Sequence, residues 1–105
     1  MKHYLLMYDV VDDYVERRGA FRNQHLEKAW AASASGALVL AGALEDPADG
    51  AILVFQGDSP AVAEEFAKSD PYVLNGLVTR WRVRTWNTVA GPLAVNPVTP
   101  AGPAA

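Results

Sequence analysis

The chain has no cysteine, only two histidines, and no apolar run near the ~20 residues that cross a bilayer. Without cysteine there are no disulfides and no thiolate metal sites, and a reducing compartment is permitted. Two histidines alone cannot make a zinc site without carboxylate help, so no metal is expected. Gly-rich phosphate loops, a Gly-x-Ser-x-Gly elbow and nucleotide or flavin motifs are missing, so no cofactor is expected either. Basic residues are not in excess: the net charge is −3, which gives no electrostatic case for nucleic acid. The opening Met1-Lys2-His3-Tyr4 reads as the start of a strand and not as a leader, which points to a cytoplasmic protein away from membranes.

What is present is one domain's worth of chain: 105 residues, 50% hydrophobic and 20% charged. His3–Tyr8 is short, aromatic and aliphatic, and reads as a buried strand ended by Asp9. Tyr14–Ser33 reads as one amphipathic helix closed by Gly36, although Gly19 within it costs about 1 kcal/mol relative to Ala. Ala37–Leu44 and Ala51–Phe55 are apolar strands joined by a polar Pro- and Asp-Gly-containing turn, hence a hairpin. Ser59-Pro60 opens a short helix over Ala61–Lys68, and Asp70-Pro71 opens a further turn through Leu74. Val78–Asn87 alternates, with Arg80, Arg82 and Arg84 on one face and Trp81, Val83 and Thr85 on the other. Residues 1–88 therefore form the domain, and the Ala-, Pro- and Gly-rich segment 89–105 is expected to be a flexible tail.

The order strand, helix, strand, strand, helix, strand predicts an α+β, ferredoxin-like βαββαβ protomer with both helices on one sheet face. The central strands are apolar on both faces, so the uncovered face needs a partner. The simplest is the same face of a second copy, which makes a homodimer the expected assembly.

The functional clue lies in the first helix. Arg18, Arg22 and His25 project from the same side as its apolar residues, where an unpaired charge costs several kcal/mol. They need partners, a cavity or a ligand. In this topology the first helix and the segment after the second lie side by side, so Asp70 can reach His25, and Ser69 or Tyr72 can add a hydroxyl. A carboxylate that orients one imidazole nitrogen makes the other a proton carrier, and the two Arg can hold an anionic oxygen. Asp9, ending the first strand, is a further candidate for the rim. Structural readings stand beside these. Asp70 before Pro71 is what a helix N-cap looks like, and a lone His on an apolar face is often a satisfied core residue. Arg18 and Arg22 can pair with Asp9, Asp12 or Asp13, and the three strand Arg can form a solvated face.

MKHYLLMY, the stretch RRGAFRNQHL at Arg17–Leu26, LAGAL, AILVFQGDS, SDPY and RWRVRTW together resemble the YCII-related domain over residues 1–88. The resemblance implies a dimeric α+β barrel with a ferredoxin-like protomer, and a site built on a His–Asp pair. By motif that pair is His25 and Asp70, with Arg22 and Tyr72 nearby. One activity in the family is loss of HCl from a chlorinated hydroxyhydroquinone, a lyase step, and muconolactone isomerases are similar in fold. The expected function is thus a cofactor-independent lyase or isomerase acting by proton transfer on a small cyclic or aromatic, anionic molecule. A dimeric module that binds such a molecule without changing it is the alternative.

Overall fold

In the computed structural model, which describes residues 1–101, the elements follow that order. They are β1 (Lys2–Val10), α1 (Tyr14–Arg17), a 3-10 turn (Arg18–Ala20), α2 (Arg22–Ala34), β2 (Leu38–Ala43), β3 (Gly50–Gly57), α3 (Ala61–Ser69), α4 (Pro71–Leu74) and β4 (Val78–Trp86). The strands form one four-stranded sheet in the order β2-β3-β1-β4, and every neighbouring pair is antiparallel. This is the α+β, ferredoxin-like βαββαβ protomer, the unit from which dimeric α+β barrels are built.

Alternation along β1 divides the molecule. Tyr4, Leu6 and Tyr8 are buried and lie opposite Phe55, Leu53 and Ala51 of β3. With Ala29, Ala63, Phe66, Ala67, Tyr72 and Leu77 they form the core between sheet and helices. Leu5 and Met7 point the other way, opposite Val54 and Ile52, and are only half-buried. The chain enters β3 tightly. A Cβ on Gly50 would stand 2.8 Å from the Tyr8 carbonyl oxygen, so only glycine lets β3 begin this close to β1.

The first helix differs from its expected form. It is broken after Arg17 by the 3-10 turn, and α2 begins only after Phe21, whose φ is −119°. Two causes coincide: Gly19 is the weakest helix former in the stretch, and Phe21 turns inward to pack against the core. The break re-aims α2. His25, Ala29 and Ala32 face inward, whereas Leu26 and Trp30, at 39% and 72% exposure, do not.

Past β4 the described part of the expected flexible tail folds back on itself. The Asn96 and Val98 amides donate to the Thr88 and Val89 carbonyls at 3.0 and 2.7 Å. Thr88 Oγ1 accepts from the Val95 amide and lies 2.8 Å from Nδ1 of buried His3. The rest of the tail, residues 102–105, lies outside the described residues.

Candidate active site

Three elements converge beneath α2. Asp70 ends α3 in an extended conformation, φ −69° and ψ 125°, because Pro71 disfavours helix at the residue before it. That turn sends its carboxylate into the core, where it is completely buried. Oδ1 accepts the Tyr72 amide at 3.0 Å and so caps α4, and the same oxygen lies 2.8 Å from His25 Nδ1. Oδ2 accepts the Tyr8 hydroxyl at 2.6 Å. Cap and His partner are thus one group, and the two readings of Asp70 are compatible. Three donors surround a carboxylate that has no access to water, which is the condition for keeping a buried charge.

A carboxylate can only accept, so the Asp70 bond places the proton on His25 Nδ1 and leaves Nε2 as the free position. The imidazole is held by packing as well. It stacks on Tyr72 with centroids 3.9 Å apart and planes 10° from parallel, and meets Phe66 edge-on at 6.3 Å. Tyr72 in turn meets Tyr14 edge-on at 5.6 Å, and the Arg18 guanidinium lies 5.3 Å above the Tyr14 ring. Arg18 and Arg22 are both close enough to act on the Tyr72 phenol. Among the described residues neither Arg forms an ion pair: Asp13 is joined to Arg17 and Asp9 to Arg82.

Two of the candidate residues lie apart from this group. Asp9 is on the opposite face of the sheet from Tyr8, because neighbouring strand residues alternate, and its carboxylate lies 4.0 Å from Arg82. Ser69 donates back to the Glu65 carbonyl at 2.9 Å, so its hydroxyl is engaged by its own helix. Tyr8, in contrast, was not among the candidates. The available signal was its position: the third helix-facing residue of β1 is a tyrosine whose hydroxyl, once buried, must find a partner. Among the described residues no group of three or more His, Asp or Glu is arranged to hold a metal, and no helix is long and apolar enough to cross a membrane. A cavity of about 450 Å³ lies elsewhere, between the far sheet face and the folded-back tail. Its walls include His3, Leu40, Val54, Trp86 and Leu93.

The phenols give the site a signature in alkali. Burial, chiefly, and then the Asp70 charge push Tyr8 far above the ordinary phenol value. Burial and the neighbouring Tyr14 push Tyr72 up to about 12, against the pull of Arg22 and Arg18. Both groups hold their protons more tightly folded than unfolded. Their contribution to stability is therefore complete below pH ~10 and is lost as the pH rises toward 12. Urea unfolding across pH 8–12 should give a plateau and then a fall above ~10, flatter in Tyr72→Phe. Ionisation of all four tyrosines near pH 10, with no loss of stability, would contradict this.

An antiparallel four-stranded sheet with its helices on one face, and a part-buried His–Asp pair between them, defines a small α+β protein of the ferredoxin-like type. The model of the YCII-related domain matches residues 1–87, and the chain belongs to that family. Among solved structures, the chain is similar to 5-chloro-2-hydroxyhydroquinone dehydrochlorinase (TftG) from Burkholderia phenoliruptrix AC1100, in complex with 2,5-dihydroxybenzoquinone. The TM-score is 0.69 at 17% identity, covering 82% of this chain and 94% of that one. It is also similar to protein Atu4242 from Agrobacterium tumefaciens, with a TM-score of 0.58 at 14% identity, covering 90% and 98%. No curated protein matches the chain.

Proposed function

We propose that this protein is a small, cofactor-independent enzyme of lyase or isomerase type that moves a proton on a hydroxylated ring compound, working as a homodimer in the cytoplasm. The observation that carries the reading is the buried Asp70 holding His25 through Nδ1, which leaves Nε2 free, with Arg18 and Arg22 near the Tyr72 phenol whose ring stacks on the imidazole. Asp70 fixes the ring's orientation and stabilises the imidazolium once it forms. His25 Nε2 takes the proton from a ring hydroxyl and returns it to a ring carbon. Arg22 and Arg18 hold the resulting anionic oxygen, and Tyr72, buried and stacked on the imidazole, keeps the His25 ring in place. When the protonated carbon carries chloride, departure of chloride with its bonding pair and loss of a second hydroxyl proton complete the removal of HCl. The likeness to a dehydrochlorinase supports this class of reaction at the level of fold.

The test is chloride release and the change in ultraviolet absorbance when the protein meets chlorinated hydroxyhydroquinones, with unchlorinated hydroquinones and lactones for the isomerase arm. Wild type should turn over one of these classes, and His25→Ala and Asp70→Asn should not. Full turnover in both variants would sink the dyad.

A non-catalytic binding module has a separate support, the apolar cavity of about 450 Å³ that is remote from His25. A ligand that binds in calorimetry and is recovered unchanged favours that reading.

A further inference from the structure

We infer that Tyr8 is a positioning residue for the His25–Asp70 pair: its hydroxyl fixes the Asp70 carboxylate and sets how strongly that carboxylate draws on the His25 Nδ1 proton. The inference rests on the reading of His25 and Asp70 as a working pair.

The terminal torsion of an aspartate is broad and nearly two-fold, so one bond to an imidazole does not fix the plane of the carboxylate. Here the plane is fixed from both ends. Oδ1 is held by the Tyr72 amide and His25, and Oδ2 by Tyr8 alone. The Tyr8 bond is the shortest of the three at 2.6 Å, as expected when a hydroxyl donates to a carboxylate. Its donor is also rigidly mounted. Tyr8 is on a central strand, paired with Ala51 on one side and Trp81 on the other, and the close approach at Gly50 locks the same strand position. Tyr8 never approaches the free Nε2 through any bond, so it acts only through Asp70.

A donor on Oδ2 draws negative charge away from Oδ1. Remove it, and the carboxylate becomes a stronger acceptor for Nδ1–H, which favours imidazolium over imidazole. The other ionisable groups facing the pair stay in place in this comparison: Tyr14 from α1, Arg18 from the 3-10 turn, Arg22 and Lys28 from α2, and Tyr72 from α4. Tyr8→Phe therefore isolates the hydroxyl, keeping the ring that packs in the core.

The experiment is an NMR titration of the two His25 ring nitrogens in wild type, in Tyr8→Phe, and in protein carrying 3-fluorotyrosine at position 8. No substrate is needed. The midpoint should rise by about one pH unit in Tyr8→Phe, where the donor is gone. It should fall in the fluorinated protein, whose more acidic phenol is a stronger donor of the same size. Equal midpoints in all three overturn the inference, and so does a fall in Tyr8→Phe. Should Tyr8→Phe fail to fold, the fluorinated protein decides alone. The two hypotheses fail separately: absence of turnover in wild type removes the enzyme reading and leaves the midpoints to judge Tyr8.

Discussion

Replacing Asp70 by alanine should cost about 3–5 kcal/mol of folding stability, among the largest losses a single substitution in this chain can cause. The reason is the number of groups that depend on one carboxylate. The Tyr8 hydroxyl, the Tyr72 amide and the His25 ring nitrogen all use it, and Asp70 itself has no exposed surface. Alanine leaves those donors in the core without acceptors, at about 1–3 kcal/mol for each that water cannot reach. It also removes the cap of α4, worth about 1 kcal/mol. Asparagine is the informative comparison. Its oxygen can still cap α4 and meet His25, but its amide then faces the Tyr8 hydroxyl in place of Oδ2, and the charge is gone. Asp70→Asn should therefore recover roughly half of the loss in urea unfolding, while turnover stays absent because nothing stabilises a positive His25. A stability for Asp70→Ala within 1 kcal/mol of wild type would mean that the network contributes little.

That network explains what could and could not be read from residues alone. Pro71 and the strand–helix order were enough to bring Asp70 under the first helix, since a residue before proline leaves the helix and this topology has few alternatives. That order sets Asp70 within reach of His25, and the two lie 2.8 Å apart. Whether Asp70 was a cap or a partner could not be decided from spacing, because both uses need the same residue type. Oδ1 serves both. Its place at the end of the first strand, next to the helix, makes Asp9 a rim candidate, but a one-residue step along a strand reverses the face, and Asp9 lies opposite to Tyr8. The 3-10 break was illegible for a different reason: it depends on Phe21 docking into a core formed by distant strands, not on local propensity alone. Tyr8 was legible as a buried aromatic but not as a donor, since its acceptor lies 62 residues away.

The far face of the sheet gives the second large effect. Leu5, Met7, Ile52 and Val54 form its centre, Leu40 is 71% exposed, and Arg82 and Arg84 flank them opposite Met7 and Leu5. Among the described residues no helix packs on this half-buried apolar centre, and an apolar surface of this kind suits an interface. If two protomers meet through it about a two-fold axis, each residue at the centre occurs twice in one small contact. Ile52→Asp then buries two carboxylates where there were two aliphatic side chains, with no basic residue opposite: its neighbours across the sheet are Met7 and Gly42. Desolvating each charge costs several kcal/mol, which weakens association by a thousandfold or more at about 1.4 kcal/mol per factor of ten. Light scattering at micromolar concentration should give wild type at 2 × 11.3 = 22.6 kDa and Ile52→Asp at 11.3 kDa. Ile52 points away from the core, so the monomer should keep its circular dichroism and the His25–Asp70 bond should persist in its NMR spectrum. Wild type at 11.3 kDa, or a variant that stays at twice that mass, would remove the sheet-to-sheet dimer. A variant that loses fold and dimer together would instead show that this face stabilises the protomer only through its partner, as in obligate dimers.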